Sequence, residues 1–367
     1  ENLDYIDAVR FLADRAGMKM PENDVNDATS RLRTRVLEAN REAARLFHTW
    51  LYGPEGKVGL DYYHSRGYTD HTIRRFGLGF APDSYQTLRD ALRKKGFNDE
   101  ELVAAFLAKR SSRSPGTGSL YDIFRNRVMI PIIDIRGNVI AFGGRTMRTD
   151  KKVAKYLNSP ESEIYHKSDV LYGLYQAKRA ITQEDCCILV EGYTDVISMH
   201  QSGIENVVAS SGTSLTDGQI RLIGRFTRNV TVIYDGDSAG IKASLRGIDM
   251  LLREGLNVRV VLLPDGDDPD SFARKRNATE LQEFILKHEE DFISFKTRLL
   301  MSDAGNDPLR KAALVTDIVQ SISVIPDAIT RSVYTRECSR QMEIDEQVLP
   351  RQIAIPRTDR SARRQAT

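Results

Sequence analysis

The sequence predicts an α/β fold, and the order of its segments carries this prediction. After residue 185, short apolar segments alternate with helical ones, a pattern typical of a buried parallel sheet with helical crossovers. Residues 127–145 read as two strands joined by a turn at 136–138, and the pattern after 290 is wholly helical. We therefore expect a parallel-sheet domain flanked by an N-terminal α+β subdomain and a C-terminal helical subdomain.

The N-terminal segment, residues 1–30, combines a short amphipathic stretch with a polar connector rich in Asn and Asp. We interpret it as the remnant of a preceding module and its linker. Because the chain begins with Glu1 rather than Met, we expect a fragment of a longer protein. From about residue 31 to about 110, the apolar side chains recur at helical spacing. The Ser/Gly/Pro-rich segment 111–120 is the first boundary signal.

Apolar segments in the second half of the chain are predicted as strands, each leading into a helix or an acidic loop. The strands are "CCILV" (186–190), "NVVAS" (206–210), "NVTVIY" (229–234) and "NVRVVLL" (257–263). Helices are predicted from near Thr194, over 216–226, and from Ser238 to Leu256. Strands and helices in this order form right-handed crossover units.

These boundaries divide the chain into segments with different predicted roles. They are 1–30, a preceding-module remnant; 31–184, the α+β subdomain; 185–272, the parallel-sheet domain; 273–348, the helical subdomain; and 349–367, a polar, basic tail.

The bulk composition is that of a globular protein without a membrane segment. Apolar residues make up 41% and charged residues 28% of the 367 residues, and no apolar run or signal peptide indicates a membrane span or secretion. Three cysteines and six histidines lack the spacing of zinc ligands, so we expect no zinc site in this chain. The net charge of +2 does not indicate a partner by itself.

Basic residues are concentrated in residues 145–155. Arg145, Arg148, Lys151, Lys152 and Lys155 stand there against a single acid, Asp150. A solvated basic loop is one interpretation. Binding of a polyanion is the other, and a nearby acidic cluster favours it.

Acidic residues follow three of the predicted strands directly. They are Glu191 after the first, Asp235 and Asp237 after the third, and Asp265, Asp267, Asp268 and Asp270 after the fourth. Since parallel strands present their carboxyl ends at one edge, these acids are expected to converge there. Two unit charges at ~4 Å repel by about 4 kcal/mol at an effective dielectric constant near 20. Divalent cations with oxygen ligands, Mg²⁺ or Mn²⁺, would relieve that repulsion.

The segment "YDGDSAG" (234–240) allows two other interpretations. A calcium loop would need an oxygen ligand at its fifth position and Glu at its twelfth, which are Ala239 and Arg246. A hairpin would need a second alternating strand, whereas helical spacing follows. The segment is therefore predicted as a strand–loop–helix corner with Ser238 as N-cap.

These motifs together resemble a known family. "EGYTDV" (191–196), "YDGDSAG" (234–240) and "DDPDSF" (267–272) resemble the signature of Toprim domains, which have a Rossmann-like parallel sheet with helices. "FRNRVMIPIIDIRGNVIAFGGR" (124–145), "KYLNSPES" (155–162) and "YHKSDVLYGL" (165–174) are similar to the RNA-polymerase core of bacterial DnaG-type replicative primases. The resemblance covers roughly residues 30–345.

The resemblance implies a nucleotidyltransferase that synthesises RNA primers on single-stranded DNA from ribonucleoside triphosphates, with two or more Mg²⁺ or Mn²⁺ ions. Its implied catalytic acids are Glu191, Asp235, Asp237, Asp268 and Asp270, the first four as metal ligands. Its implied nucleotide- or template-binding residues are Arg125, Arg127, Arg145, Lys155, Tyr156, Asn158, Lys167 and Asp195.

The family's partners are expected to act through modules outside this chain. Neither the family's zinc-binding module nor its helicase-binding module is visible in the sequence, so we expect zinc, helicase and single-strand binding protein to require absent segments. The resemblance further implies a bacterial cytoplasmic protein at the replisome and a monomeric fragment. A Toprim topoisomerase or nuclease, or a domain that only binds nucleic acid, remains an alternative.

Overall fold

The computed structural model describes residues 24–111, 120–150, 153–211, 215–235, 247–264, 266–304, 307–342 and 344. The chain divides into two compact units, Glu1–Tyr175 and Gln176–Thr367. Within the described residues, no helix has both the length and the apolar character needed to cross a bilayer.

The N-terminal unit is built around one long helix and an antiparallel sheet. The helices are Asp24–Leu51, Lys57–Ser65, Asp70–Arg75, Thr87–Lys94 and Asp99–Ala104, with a 3₁₀ turn at Pro54–Gly56. The sheet has the order β1-β4-β5-β6, where β1 is Gly79–Ala81, β4 is Arg127–Ile133, β5 is Val139–Thr146 and β6 is Tyr156–Asn158. A second pair consists of β2 (Ala108–Arg110) and β3 (Leu120–Asp122). A 3₁₀ turn at Lys167–Asp169 follows, and the next helix, Leu174–Glu184, lies mostly in the C-terminal unit.

Aromatic packing joins the long helix to this sheet. Phe47 lies almost wholly buried, with its ring edge-on to Phe142 of β5 at 5.4 Å and to Phe124 at 6.5 Å. Edge-to-face pairs of this kind add specificity to the burial of apolar surface. The predicted hairpin at 127–145 is confirmed, because Asp134 accepts hydrogen bonds from the backbone of Arg136 and Asn138.

The C-terminal unit contains the predicted parallel sheet. Its strand order is β11-β10-β9-β7-β8. The strands are β7 (Cys187–Val190), β8 (Val207–Ala209), β9 (Asn229–Tyr234), β10 (Asn257–Leu262) and β11 (Glu290–Asp291). Strands β7 to β10 pair in parallel and are mostly buried, whereas β11 is antiparallel to β10.

Helices complete this unit. They are Tyr193–Gln201, Asp217–Ile223, 247–253, Pro269–Arg274, Ala278–His288, Phe292–Ala304, Pro308–Ser323 and Ala328–Met342. The residues from Asp237 to Arg246 of the predicted strand–loop–helix corner lie outside the described residues. Its helical continuation is confirmed only over 247–253.

Short strands correct two sequence predictions. The segment before residue 110 contains β1 and β2 besides helices, and the segment after 290 begins with β11. A strand of two or three residues is too short to show a hydrophobic period, so tertiary pairing decides its conformation.

A close backbone approach in the N-terminal unit gives a stability prediction. A Cβ on Gly79 would lie 2.6 Å from Phe47 Cβ and 2.7 Å from its backbone carbon. Gly79→Ala should therefore lower the free energy of unfolding by about 1–3 kcal/mol, as overpacked sites do. Urea denaturation followed through Trp50, the single tryptophan, reports on this unit. Gly53→Ala, where the nearest atom is 3.4 Å away, is the control and should unfold at nearly the wild-type midpoint. Equal midpoints for both variants would contradict the packing assignment.

Candidate active site

Acidic residues follow three adjacent parallel strands at one edge of the sheet. Strands β7, β9 and β10 are neighbours, and Glu191 and Asp235 come directly after β7 and β9. Asp267 and Asp268 follow β10 after a short turn. Asp237 and Asp265, which were predicted beside them, lie outside the described residues.

Asp195 reports on the charge of this edge. Its carboxylate is nine-tenths buried and accepts a 2.8 Å hydrogen bond from the backbone N–H of Gly192 at the start of the helix Tyr193–Gln201. Burial raises the pKa of Asp195 to about 7. The charges of Asp268, Asp235 and Asp270 make a smaller contribution to this rise than burial does, and the hydrogen bond from Gly192 opposes it. These carboxylates therefore share one electrostatic environment.

Glu191 is exposed beside a buried tyrosine. Its backbone carbonyl accepts a 3.1 Å hydrogen bond from the N–H of Ser211, which anchors the end of β7. The pKa of the Tyr234 hydroxyl is raised by burial and, in smaller part, by the Glu191 charge. The Glu191 carboxylate thus lies within electrostatic reach of the last residue of β9.

The acids after β10 differ in surroundings. Asp268 is exposed and is the N-cap of the helix Pro269–Arg274, where it accepts a 2.6 Å hydrogen bond from Ser271 N–H. Asp267 pairs with Lys275 at 2.5 Å and accepts a hydrogen bond from the Ser271 hydroxyl at 2.8 Å. These hydrogen bonds fix the turn that presents Asp268 at the edge.

Asp270, a predicted catalytic acid, points into the protein instead. It is 3% exposed, and its Oδ1 accepts a hydrogen bond from the hydroxyl of buried Ser198. Its Oδ2 lies 3.2 Å from Arg274 Nη2. Asp270 is therefore buried whereas Asp268 is exposed, although the sequence predicts both as catalytic acids.

The oxygen ligands at this edge suit a hard divalent cation. Burial and, in smaller part, the charges of three neighbouring aspartates raise the pKa of Asp195, and a cation at this edge would offset that concentration of negative charge. Within the described residues, no group of three or more His, Cys, Asp and Glu side chains forms a metal site by itself.

The predicted basic residues lie in the N-terminal unit, which contains a basin of about 530 Å³. Its lining runs over residues 145–150 and 153–155. Arg145 and Lys155 are among the lining residues, and so is Arg148, which pairs with Asp83. The Arg145 guanidinium lies 4.4 Å from the centroid of the Tyr62 ring, a cation–π contact that holds it in place.

Arg127 has a structural position beneath this basin. It is 6% exposed and donates hydrogen bonds to the carbonyls of Gly144 at 2.9 Å and Ala154 at 3.2 Å. Burial, together with the charges of Arg125 and Arg148, lowers its pKa. Arg127 thus ties the segment containing Lys155 to β5 rather than facing solvent.

The remaining predicted residues are dispersed around the same sheet. Arg125 stacks on Tyr85 at 4.1 Å and donates a 2.6 Å hydrogen bond to the Asp122 carbonyl. Tyr156 is 40% exposed beside Lys155. Asn158 Oδ1 is buried and accepts no hydrogen bond from any residue that the structure describes. Lys167 begins a 3₁₀ turn, where its N–H donates to Glu161.

Three residues that contact predicted site residues and hold them in place were not predicted from the sequence. Ser198 holds Asp270, Tyr62 holds Arg145 and Tyr85 holds Arg125. No local pattern marks them, because each contact joins residues more than 35 positions apart in the chain.

Comparisons with known proteins agree with this architecture. Family models match residues 46–178 (DNA primase catalytic core, N-terminal domain), 188–273 (Toprim-like) and 293–347 (DnaB-helicase binding domain of primase). The structure of a DNA primase domain from Pseudomonas aeruginosa aligns with a TM-score of 0.77 and 34% identity, over 87% of this chain and 100% of that one. This chain belongs to the bacterial DnaG-type DNA primase family.

Other members of the family show the same relationship. A DNA primase from Halalkalibacterium halodurans is 36% identical over 94% of this chain, and one from Clostridium acetobutylicum is 37% identical over 95%. The chain spans 57% of the length of each of these relatives. A DnaG primase catalytic domain bound to ssDNA aligns with a TM-score of 0.74 and 34% identity, over 85% of this chain and 99% of that one.

The comparisons confirm the Toprim fold of the primase family and correct one expectation. From the sequence we expect no helicase-binding module in the chain, yet the helicase-binding model matches 293–347. That range lies within the segment assigned as a C-terminal helical subdomain. Its helices carry no short motif that would have marked it.

The raised pKa of Asp195 predicts a pH dependence of stability. Its carboxyl binds a proton more tightly in the folded chain than in the unfolded chain. The resulting contribution to the free energy of unfolding is fully present below the ordinary pKa of 3.8 and is lost as the pH rises through about 7. In the presence of a chelator, raising the pH from 4 to 7 should lower the free energy of unfolding less for Asp195→Asn than for the wild type. Urea denaturation at several pH values measures this.

Asp267→Asn is the matched control for that experiment. The hydrogen bond from Lys275 lowers the pKa of Asp267. The contribution of Asp267 to the free energy of unfolding is therefore present above the ordinary pKa of an aspartate and is lost as the pH falls through the lowered pKa. Its replacement should not reduce the loss of stability between pH 4 and 7. If Asp195→Asn keeps the wild-type slope, Asp195 is not the buried acid described above.

Proposed function

We propose that this chain is the RNA-polymerase core of a bacterial replicative primase. It joins ribonucleoside triphosphates into short RNA primers on a single-stranded DNA template by two-metal nucleotidyl transfer. The observation that carries the proposal is the set of acidic residues that follow three adjacent strands at the carboxyl edge of the Toprim sheet. Burial and, in smaller part, the charges of Asp268, Asp235 and Asp270 raise the pKa of Asp195 beside them.

The residues at this edge fit Mg²⁺ or Mn²⁺. Glu191, Asp235, Asp237 and Asp268 would hold two or more ions through oxygen atoms alone. When bound, such ions activate an attacking 3′-hydroxyl and stabilise the leaving oxygen at the α-phosphate. Asp195 accepts a hydrogen bond from the backbone N–H of Gly192, which holds the start of the helix directly after Glu191.

The protein's part in this reaction is positioning. Phosphoryl transfer needs no side-chain nucleophile, because alignment and charge neutralisation supply most of the rate enhancement. The backbone of β7 and β9 fixes Glu191 and Asp235 relative to one another through parallel pairing. The N-cap bond from Ser271 does the same for Asp268.

The basic basin would bind the polyanionic substrates. Arg145 and Lys155 line it directly. Arg127 donates hydrogen bonds to the backbone beside it, and Arg125 stacks on Tyr85. Tyr156, Asn158 and Lys167 are proposed to contribute contacts to nucleotide or template. Binding of this type combines phosphate neutralisation with stacking on aromatic rings.

The proposed partners follow from the family. They are the DNA template, the RNA product and the replicative helicase, the last through residues 293–347, which match the helicase-binding model. We also propose that the protein acts with single-strand binding protein and with a zinc-binding module. The chain is proposed to be a monomer in the bacterial cytoplasm. A Toprim DNA-cleaving enzyme is not favoured, because the matching N-terminal model describes a primase core.

Replacement of one acid tests the proposed reaction. Asp235→Asn should lower the incorporation of labelled ribonucleotides on single-stranded DNA by at least about 100-fold, because several kcal/mol of charge stabilisation by the cation are lost. Asp217→Asn, in the first turn of another helix of the same unit, is the control and should retain activity. Full activity of Asp235→Asn would overturn the assignment of the site.

Replacement of one basin residue tests template binding. Lys155→Gln should weaken binding of a fluorescent single-stranded oligonucleotide and lower the slope of log affinity against log salt by roughly 0.7, the value for one phosphate contact on a single strand. Lys57→Gln, an exposed lysine paired with Asp61 in the same unit, is the control. Equal slopes for Lys155→Gln and the wild type would exclude Lys155 from the binding surface.

A further inference from the structure

Two serine hydroxyls connect the helix that follows Glu191 to the helix Pro269–Arg274. Ser198 and Ser202 lie four residues apart and therefore on one face of the helical segment that begins at Tyr193. Ser198 donates to the Asp270 carboxylate, and Ser202 donates to the Ala273 carbonyl at 3.0 Å. Both contacts reach the helix Pro269–Arg274, whose N-cap is Asp268.

The two contacts differ in what they hold. Ser202 bonds to a backbone carbonyl near the end of the short helix, away from the acids. Ser198 is 1% exposed and bonds to a carboxylate that is itself 3% exposed, in the first turn of that helix. The second oxygen of this carboxylate lies 3.2 Å from Arg274. Asp270 is thus held from both sides within the protein.

The position of Ser198 connects this contact to the acidic edge. Asp195 lies three residues before Ser198 on one helix, and Asp268 lies two residues before Asp270 on the other chain segment. The hydrogen bond between Ser198 and Asp270 therefore links the segments that present Asp195 and Asp268. Displacement of a reacting group by about 1 Å can cost 100-fold in rate.

We propose that Ser198 is a positioning residue of the active site. Through Asp270, it places Asp268 relative to Glu191 and Asp235 for cation binding, and Asp270 serves as its acceptor rather than as a ligand. This inference rests on the proposed function for the role of the cation. It assigns Asp268 of "DPD" to cation binding and Asp270 to holding the segment through Ser198.

Binding of Mn²⁺ alone, followed by the electron paramagnetic resonance of the free ion, tests this role without nucleotide or template. Ser198→Ala should weaken Mn²⁺ binding by roughly tenfold, in the range found when groups that orient metal ligands are removed. Ser202→Ala removes the other hydroxyl contact between the same helices and should leave Mn²⁺ binding unchanged. Thermal unfolding of both variants measures the stability that each contact contributes.

Further variants separate positioning from ligation. Asp270→Asn keeps an oxygen for Ser198 and should weaken Mn²⁺ binding no more than Ser198→Ala does, whereas Asp235→Asn should weaken it far more. Ser198→Thr restores the hydroxyl and should restore binding relative to Ser198→Ala. Equal effects of Ser198→Ala and Ser202→Ala, or an Asp270→Asn effect as large as that of Asp235→Asn, would overturn the proposal.

Primer synthesis provides the second measurement. The Mg²⁺ concentration for half-maximal incorporation should rise for Ser198→Ala and stay constant for Ser202→Ala, and constancy for both would overturn the proposal. If the wild-type chain makes no primers, the proposed function fails. The Mn²⁺ comparison still decides the role of Ser198 in that case.

Discussion

Repulsion between like charges is the constraint on which the rest of this site depends. Parallel pairing of β7, β9 and β10 brings the ends of three strands to one edge, and acids follow each of them. Burial raises the pKa of the Asp195 carboxyl, and the charges of three neighbouring aspartates add to this rise in smaller part. Hydrogen bonds from Gly192 and Ser271 hold the acidic side chains at the edge despite the repulsion. The sheet therefore stores a local excess of negative charge that a divalent cation would relieve.

Equivalent residue types in the sequence have different tasks in the structure. Of the neighbouring arginines, Arg127 is buried and ties a loop to β5, whereas Arg125 stacks on Tyr85. Of the two aspartates in "DPD", Asp268 is exposed and Asp270 is buried against Ser198. In each pair, one side chain is buried in hydrogen bonds to neighbouring segments, whereas the other is at least partly exposed. Mutational loss of activity at such a pair would therefore have two distinct physical causes.

Much of the fold was predictable, because buried parallel strands leave uninterrupted apolar segments that composition and length alone reveal. The convergence of Glu191 and Asp235 followed from the same rule, since residues after parallel strands meet at one edge. The orientation of Asp270 was not predictable, because it depends on where a short helix starts and on a serine 72 positions away. Strand β1, three residues long, was missed because it depends on pairing with β4. The helicase-binding segment was missed because its helices lack a distinctive motif.

We propose that the carboxylates at the edge of the Toprim sheet bind divalent cations. Anomalous X-ray diffraction from crystals of the chain grown with Mn²⁺ tests this claim most directly, because it locates the ion without assuming an activity. The account predicts an anomalous peak within coordination distance of the Glu191 and Asp235 carboxylates, with Asp270 still bonded to Ser198. Peaks only at other acids, or no peak at this edge with Mn²⁺ in excess, would contradict it.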